Sequence, residues 1–253
     1  MSPPREHPHK RQGWLSSVQS TAVTVVIALF VVTFLAQAFQ IPSESMENTL
    51  LIGDYLLVDK LQFSDSGGWG KVLPYSEVRR GEIIVFRYPV NPEQHFVKRV
   101  VGIPGDRVRL VNKRLRVNGA PVREKYAVYK RRDYDTYRDD FPVRGLASAN
   151  VESAWWSQMR DLVHNGELVV PPGQYFVLGD NRDRSLDSRY WGLVPRESII
   201  GRPLLIYWSV AAPPERARAP APPRGDGRLM SFARSVLRFF TNTRWDRFLR
   251  LVS

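Results

Sequence analysis

One segment of the chain is apolar on every side and differs from everything that follows it. No charged residue occurs between Arg11 and Glu44, and Thr21–Phe39 adds only threonines and one glutamine to its apolar side chains. About 20 helical residues span the ~30 Å hydrocarbon core of a bilayer. A buried core helix would show one apolar stripe instead. The pattern predicts a single transmembrane helix over residues 20–39, preceded by an N-terminal segment of residues 1–19.

The charges that flank this segment predict its orientation. Basic residues outnumber Glu6 on the N-terminal side, whereas acidic residues come first on the other side. The basic ones are Arg5, Lys10 and Arg11; the acidic ones are Glu44, Glu47, Asp54 and Asp59. The positive-inside rule then places the N-terminus in the cytoplasm and residues after 40 outside it. An alternative is a cleaved secretory signal ending at Ala36-Gln37-Ala38; the long apolar run favours an uncleaved anchor.

Beyond residue 40 the pattern changes to short apolar runs separated by turn residues. Strands are predicted at 55–58, 82–88, 95–101, 107–110, 114–117, 174–179 and 199–208. No alternation of strands with helices appears, so we expect a mainly β, antiparallel domain over residues 40–210. Residues 123–168 are charged and rich in tyrosine. They predict a peripheral insertion with a short helix near Ala154–Leu162.

Two further segments follow the predicted domain. Residues 211–227 are rich in proline and alanine and are typical of a linker. Residues 228–253 form a basic amphipathic segment, with a helix predicted over Arg228–Thr241. This helix is interpreted either as packed on the domain with one solvated face, or as lying on anionic lipid.

Composition and charge exclude several classes of protein. The 253 residues are 43% hydrophobic, enough for one sizeable core. The net charge of +12 would suit nucleic acid or anionic lipid, but nine arginines against three acids place half of it in residues 211–253. No nucleic-acid-binding motif accompanies it, so no nucleic-acid partner is expected. The chain has no cysteine and its four histidines lack metal-ligand spacing, so neither metal nor cofactor is expected.

A serine nucleophile requires a base, and one lysine has a suitable setting. On the predicted strand from His95 to Val101, alternation places Phe96, Lys98 and Val100 on one face. A lysine among apolar neighbours without a carboxylate partner has a lowered pKa and can act as a base. The other interpretation is a lysine whose amine reaches solvent.

Four motifs occur in order along the chain. They are Ser43-Glu44-Ser45-Met46-x-x-Thr49-Leu50, Gly81-Glu82-Ile83-Ile84-Val85-Phe86, Lys98-Arg99-Val100-Val101-Gly102-Ile103-Pro104-Gly105-Asp106 and Gly179-Asp180-Asn181-Arg182-Asp183-Arg184-Ser185-Leu186-Asp187-Ser188-Arg189-Tyr190-Trp191-Gly192. They resemble the signature motifs of bacterial type I signal peptidases, and with the preceding anchor the resemblance covers residues 20 to about 208. It implies a Ser/Lys endopeptidase of the bacterial cytoplasmic membrane that removes signal peptides from exported preproteins.

The resemblance also implies roles for individual residues. Ser45 matches the nucleophile and Lys98 the general base, while Ser43 matches the hydroxyl that completes the oxyanion hole. Ser185 matches the residue that orients the lysine amine. Asp187 and Arg189 match a supporting ion pair, with Asp180 and Arg182 in the same motif.

Substrate preference is implied in the same way. The family cuts after small residues at A-x-A positions, in shallow apolar pockets to which an extended peptide adds as a strand. The positions that match these pockets are Phe39, Ile41, Pro42, Leu50, Val58 and Val97. The expected partners are therefore preproteins and membrane lipid.

Two residues depart from the family pattern. Glu44 stands where a small residue is usual, and its carboxylate would raise the pKa of Lys98 if it pointed inward; we expect it to face solvent. Asn48 stands where proline is usual, which leaves the turn less constrained. Two other functions remain open: a LexA-like self-cleaving protease and a non-catalytic membrane scaffold.

Overall fold

The computed structural model describes residues 10–30, 36–60, 77–143, 150–211 and 240–252. Helix α1 spans Lys10–Phe30 and so begins ten residues before the predicted span. Ala36–Gln40, whose first four residues were predicted to end that helix, forms strand β1 instead. The prediction is wrong there because this segment pairs along its full length with a neighbouring strand. Across these ranges, no helix combines the length and the apolar character needed to cross a membrane.

The larger sheet carries or adjoins the four matched motifs. Its strands are β1, β2 (Asp54–Asp59), β3 (Ile83–Arg87), β4 (His95–Gly102), β10 (Gln174–Leu178), β11 (Val194–Pro195), β12 (Ile199–Ser209) and β13 (Arg250–Leu251). Their order is β1-β2-β12-β3-β4-β10-β11, with β13 paired to β12. Each of these ladders is antiparallel, which confirms the predicted fold class.

A smaller antiparallel sheet follows the order β7-β6-β5-β9-β8. It consists of β5 (Arg107–Val111), β6 (Arg114–Val117), β7 (Ala120–Pro121), β8 (Val163–His164) and β9 (Glu167–Val169). Between β7 and β8 lie two helices, α2 (Thr136–Asp139) and α3 (Ser153–Leu162). A fourth, α4 (Ser188–Trp191), follows β10.

The predicted insertion at 123–168 contributes to the core and is more than peripheral. Trp155 and Met159 of α3 are buried in the same apolar cluster as Phe141 and Leu168. The cluster also includes Phe176 of the larger sheet. These contacts bury large apolar surfaces, so the segment joins the two sheets.

Within the described part of the chain, strands β1 and β4 each have backbone groups along one edge that pair with no other strand. Strand β4 pairs with β3 from His95 to Arg99, but with β10 only from Arg99 onward. Strand β1 pairs with β2 and, among the described residues, with no other strand. The unpaired backbone groups of both strands are therefore available to a further strand.

The last described segment packs on the larger sheet. Strand β13 pairs with β12, and the buried Arg247 donates two hydrogen bonds to Asp54, of 3.1 Å and 2.6 Å. Arg247 also donates to the carbonyl oxygen of Thr49. Most of the predicted helix over Arg228–Thr241 lies outside the described residues, as does the linker after residue 211.

Candidate active site

Ser45 lies in a short 3-10 turn, Glu44–Met46, between β1 and β2. Met46 and Leu50 are buried and anchor the turn in an apolar cluster. The backbone N–H of Asn181 donates to the carbonyl oxygen of Ser45 at 3.0 Å, and the backbone N–H of Leu50 donates to the carbonyl oxygen of Met46 at 2.8 Å. Asn48 is exposed. These bonds fix the turn although the position of Asn48 lacks proline.

Lys98 approaches the same turn from strand β4. Its Nζ lies 2.7 Å from Ser45 Oγ and 3.1 Å from the carbonyl oxygen of Val97. The residue is 4% exposed, which excludes a lysine whose amine reaches solvent. Phe96 and Val100, predicted on its side of the strand, pack in one cluster, and Nζ lies 5.3 Å from the centre of the Phe96 ring.

Burial changes the acidity of this lysine. Removal from water disfavours the ammonium form and lowers the pKa of Lys98 to about 8, although Asp187 and Asp180 partly oppose the change by attraction. A substantial fraction of the amine is therefore neutral near that pH. A neutral amine at 2.7 Å from a hydroxyl can accept its proton.

The other two serines differ in their surroundings. Ser43 is exposed and its Oγ lies 3.3 Å from Ser45 Oγ. Ser185 is buried, and its hydroxyl has no hydrogen-bond partner in the described part of the chain. The predicted bond from Ser185 to Lys98 is therefore not formed; the Val97 carbonyl holds the amine instead.

Gly179 allows these groups to approach one another. A Cβ atom at this position would lie 2.3 Å from Ser185 Oγ and 2.5 Å from the Ser45 carbonyl oxygen. Both distances are far below van der Waals contact, so a side chain at 179 would displace the turn that carries Ser45 or the Ser185 segment.

The predicted pair Asp187–Arg189 is present and buried. Arg189 donates through Nε and Nη2 to the two carboxylate oxygens of Asp187, each at 2.8 Å. Burial alone would raise the pKa of Asp187, but the Arg189 charge and hydrogen bonds, with one from the Gly179 amide, hold it below its usual value. Asp187 also caps α4 by accepting from the Arg189 amide.

Asp180 and Arg182 each pair with a residue that sequence reasoning missed. Asp180 accepts two hydrogen bonds from Arg99, at 2.9 Å and 2.8 Å, and one from Thr49. Arg182 forms a buried ion pair with Glu124. Arg99 and Thr49 lie inside the matched motifs, so the sequence could have identified them as candidate partners. Glu124 lies outside the motifs and far from Arg182 along the chain, so no sequence pattern links the two.

Ser45 and Lys98 open onto a cleft of about 300 Å³. Four of the predicted pocket residues line it, namely Phe39, Ile41, Pro42 and Val97. Leu50 and Val58 do not; both are fully buried in the apolar cluster beneath the turn, so for them the prediction is wrong. The cleft is also lined by His95, Phe96, Arg184 and Leu186, which were not predicted.

Glu44 points away from the lysine. Both of its carboxylate oxygens accept hydrogen bonds from Arg184 Nη1, at 3.0 Å and 3.1 Å, and the contact is exposed. The expectation that Glu44 faces solvent is confirmed.

Over the described ranges, no group of three or more histidine, aspartate or glutamate residues is arranged to hold a metal ion.

Fold and site together define a class: antiparallel β proteins in which a buried lysine meets a serine at the floor of a cleft. Within that class, the family model described as "Signal peptidase, peptidase S26" matches residues 14–208. The chain therefore belongs to the signal peptidase family, peptidase S26.

Three signal peptidase sequences agree with this assignment. Signal peptidase I of Aquifex aeolicus is 36% identical over 227 residues, covering 76% of this chain and 85% of that protein. Signal peptidase I of Pseudomonas fluorescens is 37% identical over 206 residues, covering 74% and 70%. Signal peptidase IB of Staphylococcus aureus is 33% identical over 197 residues, covering 77% and 88%. A crystal structure of a signal peptidase I from Enterococcus faecalis is 34% identical, with a TM-score of 0.37, and covers 50% of this chain and 97% of that structure.

Proposed function

We propose that this chain is a serine endopeptidase that removes signal peptides from exported preproteins, with Ser45 as the nucleophile and Lys98 as the general base. The observation that carries the assignment of roles is the 2.7 Å contact between Lys98 Nζ and Ser45 Oγ. It joins residues 53 positions apart, at the floor of a cleft of about 300 Å³. Family membership supports the reaction class.

The mechanism follows from the protonation state of the lysine. Neutral Lys98 takes the proton of Ser45, whose oxygen attacks the scissile carbonyl. The Ser43 hydroxyl and the Ser45 backbone N–H donate to the oxyanion that develops. Protonated Lys98 then gives its proton to the leaving amine, and a water molecule hydrolyses the acyl-enzyme with the lysine again as base.

Substrate binding uses the open strand edges. An extended peptide that lies between β1 and the His95–Val97 part of β4 would hydrogen-bond to both, as a strand added to a sheet does. Phe39, Ile41 and Val97 border this space with apolar surface. Such a lining accepts small apolar side chains before the scissile bond, as at A-x-A sites.

The assignment is tested by cleavage of a purified preprotein with an A-x-A site in detergent. We expect Ser45→Ala and Lys98→Ala each to lower kcat/KM by about 10³-fold or more, because nucleophile and base act as a unit. Lys125→Ala removes an exposed lysine that does not line the cleft; it serves as the matched control and should cleave normally.

Three outcomes would contradict the assignment. Normal cleavage by Lys98→Ala would remove the lysine from the mechanism. A wild-type protein that cuts only its own chain would favour self-cleavage of the LexA-like kind. A folded wild-type protein that cuts nothing would favour a membrane scaffold.

We further propose that the apolar segment beginning at residue 20 anchors the chain in the bacterial cytoplasmic membrane, with the preceding residues in the cytoplasm and the catalytic domain outside. The lack of charge from residue 12 to 43 and the basic N-terminal flank support this topology. Because the chain lacks cysteine, a single introduced thiol reports on location. An impermeant maleimide should label Ser157→Cys in spheroplasts, and Ser2→Cys only after lysis; the reverse pattern would contradict the topology.

A further inference from the structure

The cleft carries a charged group beside the nucleophile that the mechanism does not use. Arg184 lines the same cleft as Ser45 and Lys98, and its guanidinium meets Glu44, the residue directly before the nucleophile. The two side chains are 51% and 37% exposed. An ion pair so open to water contributes little to stability, so packing does not explain it.

The cleft has two chemically different ends. At one end Phe39 of β1 and His95 of β4 meet edge to face, with ring centres 5.5 Å apart. Lys98 lies three residues further along β4, roughly 10 Å away at about 3.3 Å per residue. Arg184 instead contacts Glu44, which directly precedes Ser45 and lies five residues beyond Phe39 along the chain. Arg184 therefore lies beside the turn that carries Ser45 and not at the aromatic end.

The direction of the bound peptide follows from this arrangement. The apolar lining by Phe39, Ile41 and Val97 suits the small residues before the scissile bond. The residues after the scissile bond then leave the cleft past Arg184. Arg184 is the one arginine among the described residues that line the cleft, and a guanidinium keeps its charge over the working pH range.

The guanidinium is only partly engaged. Both hydrogen bonds to Glu44 come from Nη1, so in the described structure Nε and Nη2 remain available to another acceptor. Glu44 itself does not line the cleft. A passing substrate thus meets the cation of the pair first, while Glu44 holds it in place and reduces its net charge.

We propose that Arg184 is a specificity-determining residue that selects an acidic side chain at the first or second position after the scissile bond, and that Glu44 moderates this selection. The inference rests on the proposed peptidase function. A carboxylate on the substrate gains a charge-assisted hydrogen bond from Arg184, whereas a lysine there is repelled.

The test uses three peptides with one A-x-A site that differ only in the residue after the cleavage point, which is Glu, Gln or Lys. We expect wild type to cleave the Glu peptide about fivefold more efficiently, by kcat/KM, than the Lys peptide at low salt. Salt should weaken the preference, because exposed charges are screened. Arg184→Gln should reduce the ratio to about one, and Arg184→Lys should retain part of it.

Glu44→Gln supplies the opposite change. It frees the guanidinium of its partner, so the preference for Glu over Lys should exceed that of wild type. If the ion pair were merely structural, Arg184→Gln and Glu44→Gln would change the cleavage ratio in the same direction. Arg114→Gln, an exposed arginine on β6, removes the same charge far from the cleft and should leave the ratio unchanged.

The outcomes separate the two proposals. Equal cleavage of the three peptides by wild type, or a preference that Arg184→Gln retains, would overturn the inference and leave the peptidase function intact. A preference for the Lys peptide would overturn it as well. Failure of wild type to cleave any of them would instead contradict the proposed function on which it rests.

Discussion

Two buried basic side chains, Arg189 and Lys98, lie near Asp187 but differ in their hydrogen-bond partners. Arg189 is 1% exposed and donates two 2.8 Å hydrogen bonds to Asp187. Lys98 is 4% exposed and, among the residues that the structure describes, contacts a hydroxyl and a carbonyl oxygen but no carboxylate. Burial removes the hydration of both, yet only Arg189 receives a full countercharge in exchange.

The difference separates a charge that holds segments in place from a group whose pKa is lowered. Paired guanidinium groups remain charged and hold segments in place, as Arg99 does with Asp180 and Arg247 with Asp54. The pKa of the unpaired amine falls toward neutrality, so that it can exchange a proton. Asp187 acts on both basic side chains: its oxygens accept hydrogen bonds from Arg189, and its charge attracts Lys98 from a distance.

The largest effect on stability is expected when the paired side of the comparison is broken. Asp187→Asn leaves Arg189 charged, buried and without a countercharge. We expect the free energy of unfolding to fall by about 3–5 kcal/mol, measured by urea denaturation at pH 7. The double variant Asp187→Asn with Arg189→Met should recover part of the loss, because no unpaired charge remains. A loss below about 1 kcal/mol in the single variant would show that the pair does not govern stability.

The unpaired side should respond in the opposite direction. Lys98→Met matches the four-atom stem of the lysine and removes the buried amine. The pKa of Lys98 is lowered from 10.5 to about 8, and each unit corresponds to about 1.4 kcal/mol, so the variant should gain about 3 kcal/mol at pH 7.

The sign of its pH dependence follows from proton binding. Below about pH 8 lysine is charged in both states and the folded protein carries the whole penalty. Between about 8 and 10.5 only the unfolded chain holds the proton, so wild type gains stability as pH rises. The advantage of Lys98→Met should therefore vanish near pH 11, as paired urea titrations would show. Equal stability of the two proteins at pH 7 would contradict a buried, unpaired lysine.

Local pattern was sufficient to predict seven of the strands and the buried position of Lys98. Alternation along β4 placed Lys98 beside Phe96 and Val100, and the motif around Ser45 identified the residue it meets. Both signals lie within a few residues of the side chain concerned, where strand periodicity holds.

Contacts between distant segments could not be predicted in this way. The partner of Arg182 is Glu124, 58 residues away, and that of Arg247 is Asp54, 193 residues away. The apolar run through Phe39 indicated a helix, but pairing with β2 makes its end a strand. Composition carries no information on which chain segment lies opposite, so tertiary pairing overrides the local preference.

The smallest effect is expected in the pH dependence of catalysis. Because neutral Lys98 is the proposed base, kcat/KM for an uncharged peptide should fall about tenfold for each unit below the pKa of about 8, and level off above it. His95→Asn, which removes the other titratable group of the β4 edge, should keep the same inflection. In a destabilised but folded Asp187→Asn protein the inflection should move to lower pH, because the attraction that raises the pKa of Lys98 is lost. If the inflection shifted in His95→Asn, or stayed unchanged in Asp187→Asn, the pH dependence would not report the buried lysine. The distinction between Lys98 and Arg189 would then not account for the activity.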